Sequence, residues 1–217
     1  AALGSLATNI ILPAFPEMAR ELHTTVKDLS ATLASFFVAF AMGQLFVGPL
    51  SDRFGRKWLV MSGLMVFVAG SAMCALAGSL SQLVVGRIVQ ALGVCATSVL
   101  SRAIARDLFE GEALARALSL IMVAMAAAPG FSPLLGGALN NVLGWRSTFG
   151  VVALLAVLLG MRYWSQLGET HGADKRAALS MTAILKTYGE LLRDRRFIAP
   201  ALSVSLVIGP LYMFFAM

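Results

Sequence analysis

The sequence predicts an all-α membrane protein, and three observations carry that expectation. Of its 217 residues, 59% are hydrophobic and 13% charged, against roughly 45–50% and about 25% in soluble domains. Apolar segments recur at about 1–16, 31–50, 58–80, 82–101, 117–139, 147–167 and 198–217, and about 20 such residues cross a hydrocarbon layer as a helix. Thirteen lysines and arginines fall in one alternate set of connections and three in the other, with Arg87 left inside a segment. Cytoplasmic loops retain cations in this way, so the amino terminus, the 51–57 and 102–116 loops and the 169–197 stretch are predicted to be cytoplasmic.

The first segment, 1–16, is short for a span and ends in LPAFP. It opens without a basic region and cleavage site, so no signal peptide is predicted. The second, 31–50, runs into GPLSDRFGRK at 48–57. There Gly48 and Pro49 allow close helix approach and bending, and Gly55 permits the tight turn back to the membrane. Asp52 can pair with Arg53 and Arg56 at the surface, with Lys57 beside them. From spacing alone, a latch and an ordinary hairpin obeying the cation bias stay equally open.

The fourth segment carries Arg87 about six residues in, roughly 9 Å along the axis. A cation there costs about 2.5–3.5 kcal/mol on insertion scales, so it should face a cavity or a partner, unless it snorkels outward. Asn9, Gln44 and Gln90 are further polar groups at membrane depth, either lining a cavity beside Arg87 or bonding helix to helix. In the fifth segment, Pro129 and Pro133 predict a bend whose freed backbone groups need partners. The last polar stretch, 169–197, predicts a helix capped by Ser180, with Met181, Ile184, Leu185, Tyr188, Leu191 and Leu192 on one face. Such a helix lies in the cytoplasmic interface.

The chain also repeats itself. GPLSDRFGRK returns 89 residues later as GALNNVLGWR, with Gly48, Leu50 and Gly55 matching Gly137, Leu139 and Gly144, and Asp52 falling on Asn141. Three segments separate the copies, which predicts two three-helix units of inverted orientation.

Other function classes find little support. The net charge of +6 is scattered over short loops, so no nucleic-acid partner is predicted. Cys74 and Cys95 lie inside apolar runs and suggest neither disulfide nor metal. His23 and His171 stand apart in loops, and no phosphate-binding loop occurs. No enzyme activity, metal or cofactor is expected.

GPLSDRFGRK resembles, at every defining position, the G-x-L-x-D-R-x-G-R-[KR] loop of the major facilitator superfamily. In that family the loop's Asp and Arg brace two six-helix halves in the outward-facing state, and Asp107 in RAIARDLFEG resembles its acidic partner. RIVQALG, with Arg87 and Gln90, resembles the fourth-helix motif, implying a role for both in proton coupling. SPLLGG, with Ser132, Pro133, Gly136 and Gly137, resembles the fifth-helix antiporter motif, Ser132 replacing its first glycine.

LPAFP, GQLFVGPLSDRFGRK, RAIARDLFEGE, ARALSL, LGWRSTF and LLRDRRF together resemble the Bcr/CflA drug-resistance subfamily of proton-coupled exporters. The resemblance implies a twelve-helix transporter of the bacterial inner membrane, of which 1–168 is the amino-terminal six-helix domain. Residues 169–197 would be the linker and 198–217 the start of the carboxy-terminal domain, the rest of the second half being a missing partner. The implied ligands are small drug-like or amphipathic substrates and protons. Where the subfamily usually has Asp in the first helix this chain has Asn9, which binds but carries no proton; Phe36, often Tyr in the subfamily, is a further cavity candidate. A uniporter or metabolite transporter of the same fold, or a non-transporting scaffold, remains the alternative.

Overall fold

The computed structural model describes residues 2–170 and 181–216. It divides into two compact units, Ala1–Ala177 and Ala178–Met217. In the first unit the chain forms α1 (Ala2–Asn9), a 3-10 turn (Leu12–Ala14), α2 (Phe15–Glu21), α3 (Val26–Phe54), α4 (Arg56–Ala75), α5 (Leu80–Leu108), α6 (Gly111–Leu143) and α7 (Arg146–Gln166). The second contains α8 (Met181–Arg193) and α9 (Arg195–Ala216). Five of these helices, α3 to α7, are long and apolar enough to cross a membrane. No strand occurs among the described residues.

The first apolar segment departs from the sequence expectation. It continues to Glu21 and is broken at residues 10–14 instead of forming one rod over 1–16. The cause is local: Pro13 and Pro16 lack the amides that would bond the carbonyls of Asn9 and Leu12. Elsewhere helix starts follow their caps. Thr25 and Asp28 form a reciprocal box before α3. Ser79 accepts from the Gln82 amide at 3.3 Å, so α5 begins at Leu80 and the α4–α5 connection lies at 76–79, earlier than the hydropathy break. The α8 helix exists, but its expected cap, Ser180, lies outside the described residues. Asp194 accepts from the Arg196 amide at 2.8 Å and so caps α9.

α5 is the most buried of the five long helices, and α3 and α6 the least. It packs most extensively against α4 and α3. On α4 and α5 the contacts run in opposite senses, Gly93 lying against the Phe67 backbone and Gly70 against that of Gln90. A Cβ on Gly70 would stand 2.4 Å from the Gln90 nitrogen. That close approach sets the spacing at which Ser71 and Gln90 meet.

The sequence repeat has a backbone counterpart. Gly55 (φ 93°, ψ 158°) and Gly144 (φ 75°, ψ 164°) close their helices in a conformation that disfavours any side chain. Each amide bonds the carbonyl four residues back, Ser51 at 2.9 Å and Asn140 at 3.1 Å. α4, α5 and α6 separate the two turns, so the turns lie at opposite ends of the bundle, as the inverted repeat requires.

Candidate functional site

At the α3–α4 turn, Asp52 lies in the last turn of α3 and Arg56 opens α4 just past Gly55. Arg56 Nη1 lies 3.0 Å from Asp52 Oδ1, and Nε lies 3.2 Å from Asp107 Oδ2 on α5. The Arg56 side chain is only 12% exposed and also donates to the Ser51 hydroxyl. Arg56 thus ties two carboxylates from different helices. Thr170 Oγ1 donates to the same Asp107 oxygen at 3.3 Å.

α4 has no side-chain cap of its own and no acid in its first turn. Glu169, beyond α7, supplies both: its carboxylate accepts from the Arg56 amide at 2.8 Å and from the Lys57 amide at 3.2 Å. Lys57 Nζ in turn reaches the Trp164 carbonyl at 3.3 Å and lies 4.5 Å from the Trp164 ring centre. Sequence reasoning missed Glu169; the uncapped, cation-rich start of α4 was the one signal that a distant acid was needed.

Two expectations for this loop fail. Arg53 forms no ion pair among the described residues; its guanidinium lies over Phe54 at 5.2 Å, because one residue turns it about 100° around the helix from Asp52. Gly48 makes no close approach within the chain, since no atom lies within 4 Å of a Cβ built on it. It is half-buried, between the buried Val47 and Ser51 on α3, and faces open space among the described residues.

The second cluster is buried. Arg87 is wholly enclosed, which removes the snorkelling alternative. Its Nη1 donates to Gln90 Oε1 at 2.5 Å and to the Ala7 carbonyl at 3.1 Å. Gln90 Nε2 donates to Ser71 Oγ at 2.8 Å, and the Phe36 ring lies 4.2 Å from the guanidinium carbon. Arg87 and Gln90 meet because they stand three positions apart, on one helix face.

The other amides do not join them. Asn9 turns back on its own helix, donating to the Ser5 carbonyl at 2.7 Å and to Thr8 Oγ1 at 3.3 Å, and Gln44 is half-buried on α3. A cleft of about 540 Å³ is bordered by Leu3, Val60, Thr97, Ser101, Ile121 and Tyr163; Asn9, Phe36 and Gln44 lie elsewhere.

On α6 the expected bend is not a break: the helix runs through Pro129 and Pro133 without interruption. Gly136 instead marks a contact, for a Cβ there would stand 1.8 Å from the Ile10 carbonyl oxygen. Gly137 faces Pro13 at an ordinary 3.8 Å, and Ser132 is fully buried. The interrupted first helix and the glycine of α6 therefore fit one another.

At the opposite end, the repeat-related turn carries Trp145 and Arg146, which both donate to the Glu21 carboxylate. Arg146 Nη2 also reaches the Ala77 carbonyl at 3.2 Å, as Lys57 reaches that of Trp164. Hydrogen bonds from Arg146 first, and Trp145 second, hold the Glu21 carboxyl below its ordinary value. A carboxyl depressed in the folded state stabilises the fold above its unfolded value and loses that contribution as pH falls through the folded one. Wild type should therefore lose thermal stability as pH falls below the ordinary carboxylate range, by an increment that Glu21→Gln lacks. Parallel pH profiles for the two proteins would remove the contribution.

Residues 1–217 match the Major Facilitator Superfamily. An uncharacterised MFS-type transporter, YdgK of Bacillus subtilis, is 37% identical over 211 residues, covering 96% of this chain and 52% of that protein. A bicyclomycin resistance protein homolog of Haemophilus influenzae is 29% identical over 212 residues, covering 98% and 53%. The chain spans about half the length of the curated relatives it matches. Among solved structures, the human organic anion transporter MFSD10 superposes with a TM-score of 0.66 at 20% identity, over 84% of this chain and 49% of that one. Loop motif, helical bundle and full-length family match agree: this multi-pass membrane chain belongs to the Major Facilitator Superfamily.

Proposed function

We propose that the chain is the amino-terminal part of a secondary transporter that exports drug-like or small amphipathic compounds by alternating access, in exchange for protons. The observation that carries this reading is Arg56, a cation only 12% exposed and held between Asp52 and Asp107. Partly desolvated pairs of this kind are strong while assembled and separable as a unit, which suits an interface with two discrete arrangements. In this reading the Arg56 end faces the cytoplasm of a bacterial inner membrane, as the loop cations favour. Residues 1–168 then form the first six-helix domain, 169–197 the linker with an interfacial helix, and 198–217 the start of the second domain. Arg87 and Gln90 belong to the coupling machinery, and Pro129, Ser132, Pro133, Gly136 and Gly137 to the antiporter-type fifth helix.

Efflux by the protein of the complete gene, measured over a panel of amphipathic drugs with and without a protonophore, tests the reading. Collapse of the proton gradient should stop export, and Asp52→Asn and Arg87→Ala should impair it. Export untouched by both substitutions would refute the assigned roles. Asn9 favours a second reading, a carrier not driven by protons: its amide sits where the subfamily usually holds an acid and is satisfied by Ser5 and Thr8. Protonophore-resistant transport would select that reading.

A further inference from the structure

We propose that the groove between α4 and α7 is a binding site for one anionic phospholipid, its acyl chain lying in the groove and its phosphate on Lys57. The groove encloses about 650 Å³ and is bordered by Met61, Met65 and Val68 of α4 and by Val157, Gly160 and Met161 of α7, with Trp164 at one end. Apart from the Trp164 indole, these side chains offer only carbon and sulfur. Met65, Val157 and Met161 are exposed although apolar, and on a membrane-spanning bundle such a surface meets lipid tails. Gly160 deepens the groove: a Cβ there would meet only side-chain ends, Leu64 Cδ1 at 3.5 Å and Met61 Cε at 3.7 Å. The thioethers around it can repack against chains of different bend.

A cation at its end distinguishes this groove from the rest of the apolar surface. Steps of three and four residues put Lys57, Met61, Met65 and Val68 on one face of α4, and Val157, Gly160, Met161 and Trp164 on one face of α7. Lys57 therefore stands in line with the groove, one turn beyond Met61 at the start of α4. Its Nζ reaches the Trp164 carbonyl at 3.3 Å and lies 4.5 Å from the ring centre, so the residue that ends the groove also positions the ammonium. Lys57 forms no ion pair among the described residues; the Glu169 carboxylate accepts from its backbone amide. An ammonium carries three donors, so with one on Trp164 the others remain for phosphate oxygens. Trp58 and Trp164, both exposed and 5.6 Å apart between ring centres, flank this point, and such amphipathic rings sit at the headgroup level of a bilayer. An apolar groove ending in a cation at headgroup depth matches a lipid with an anionic head, the groove taking the tail and the ammonium the phosphate. A zwitterionic lipid with the same tail carries its own cation beside the phosphate and gains less from Lys57.

The inference requires only a membrane-embedded chain and holds whatever the protein transports. Its test is native mass spectrometry of the purified protein of the complete gene, released from detergent micelles that contain equimolar phosphatidylglycerol and phosphatidylcholine. Wild type should retain one phosphatidylglycerol about fivefold more often than one phosphatidylcholine, the weight of one surface lysine toward an anionic lipid. Lys57→Gln should remove that preference. Gly160→Leu, which fills the groove with a side chain, should lower retention of both lipids in protein shown to be monodisperse. Arg116→Gln removes an exposed cation of α6, a helix that does not border the groove, and should change nothing. Equal retention of the two lipids by wild type would overturn the proposal, as would wild-type retention in Gly160→Leu. So would a preference that survives Lys57→Gln or falls equally in Arg116→Gln, the mark of diffuse surface charge. Displacement of the lipid by inorganic phosphate would place binding in the anion alone, and a dimer retained without lipid would give the groove to a second copy; either result would also overturn it. Lipid retention is read without transport, so its failure and that of the transport reading are separate results.

Discussion

Gly136→Ala is expected to destabilise the bundle by about 3 kcal/mol, the upper end of overpacking costs, because the obstacle is backbone that cannot change rotamer. The added carbon would stand 1.8 Å from the Ile10 oxygen and 2.8 Å from its carbonyl carbon. α1 cannot simply move aside, since α5 and α7 pack against it as well. Two neighbouring substitutions isolate the effect. Gly137→Ala meets only Pro13 at 3.8 Å, and Gly130→Ala meets nothing within 4 Å. Both lie in the same helix, where alanine is intrinsically better than glycine by about 1 kcal/mol. Thermal unfolding in detergent should therefore place Gly136→Ala well below wild type, and the two controls level with it or above. Equal melting of all three variants would mean that α1 and α6 do not touch as described.

Arg56→Ala is expected to remove most export by the protein of the complete gene. The side chain holds Asp52 and Asp107 at 3.0 Å and 3.2 Å, and charge-assisted bonds of this kind are worth about 1.5–3 kcal/mol. A loss of about 1.4 kcal/mol already shifts a two-state equilibrium tenfold. Arg56→Lys should recover part of the activity, because an ammonium restores charge but not simultaneous Nε and Nη1 donation to two carboxylates. Asp107→Asn should be milder than Asp107→Ala, since the amide oxygen still accepts from Nε. Initial efflux rates at equal expression read the series, and a wild-type rate in Arg56→Ala would dissolve the link between this loop and transport.

Much of the architecture was legible because it is written at short range. Hydropathy located the long helices and Gly55 and Gly144 marked the two turns, whereas the Thr25–Asp28 box that starts α3 at Val26, ahead of the apolar run at 31–50, emerged only in the structure. The sequence also paired Arg87 with Gln90, since three residues place two side chains on one helical face. Arg56 and Asp107 stand 51 positions apart, beyond the reach of local rules, and their pairing was legible only through resemblance to a family loop and its acidic partner.

By itself, then, the sequence determined the membrane class, the helix sequence, the repeat and the charged turns. Only the tertiary structure decided that Phe36 and the Ala7 carbonyl enclose Arg87, that Glu169 caps α4, and that Glu21 receives Trp145 and Arg146. It also turned Asn9 away from Arg87 and set Gly136 on the Ile10 carbonyl. Local rules fix what a residue presents along its own helix, within about one turn. Which neighbour receives it depends on the rotation and depth at which two helices settle, and that is set by close contacts such as Gly70 on Gln90, whose partners lie far apart in the chain.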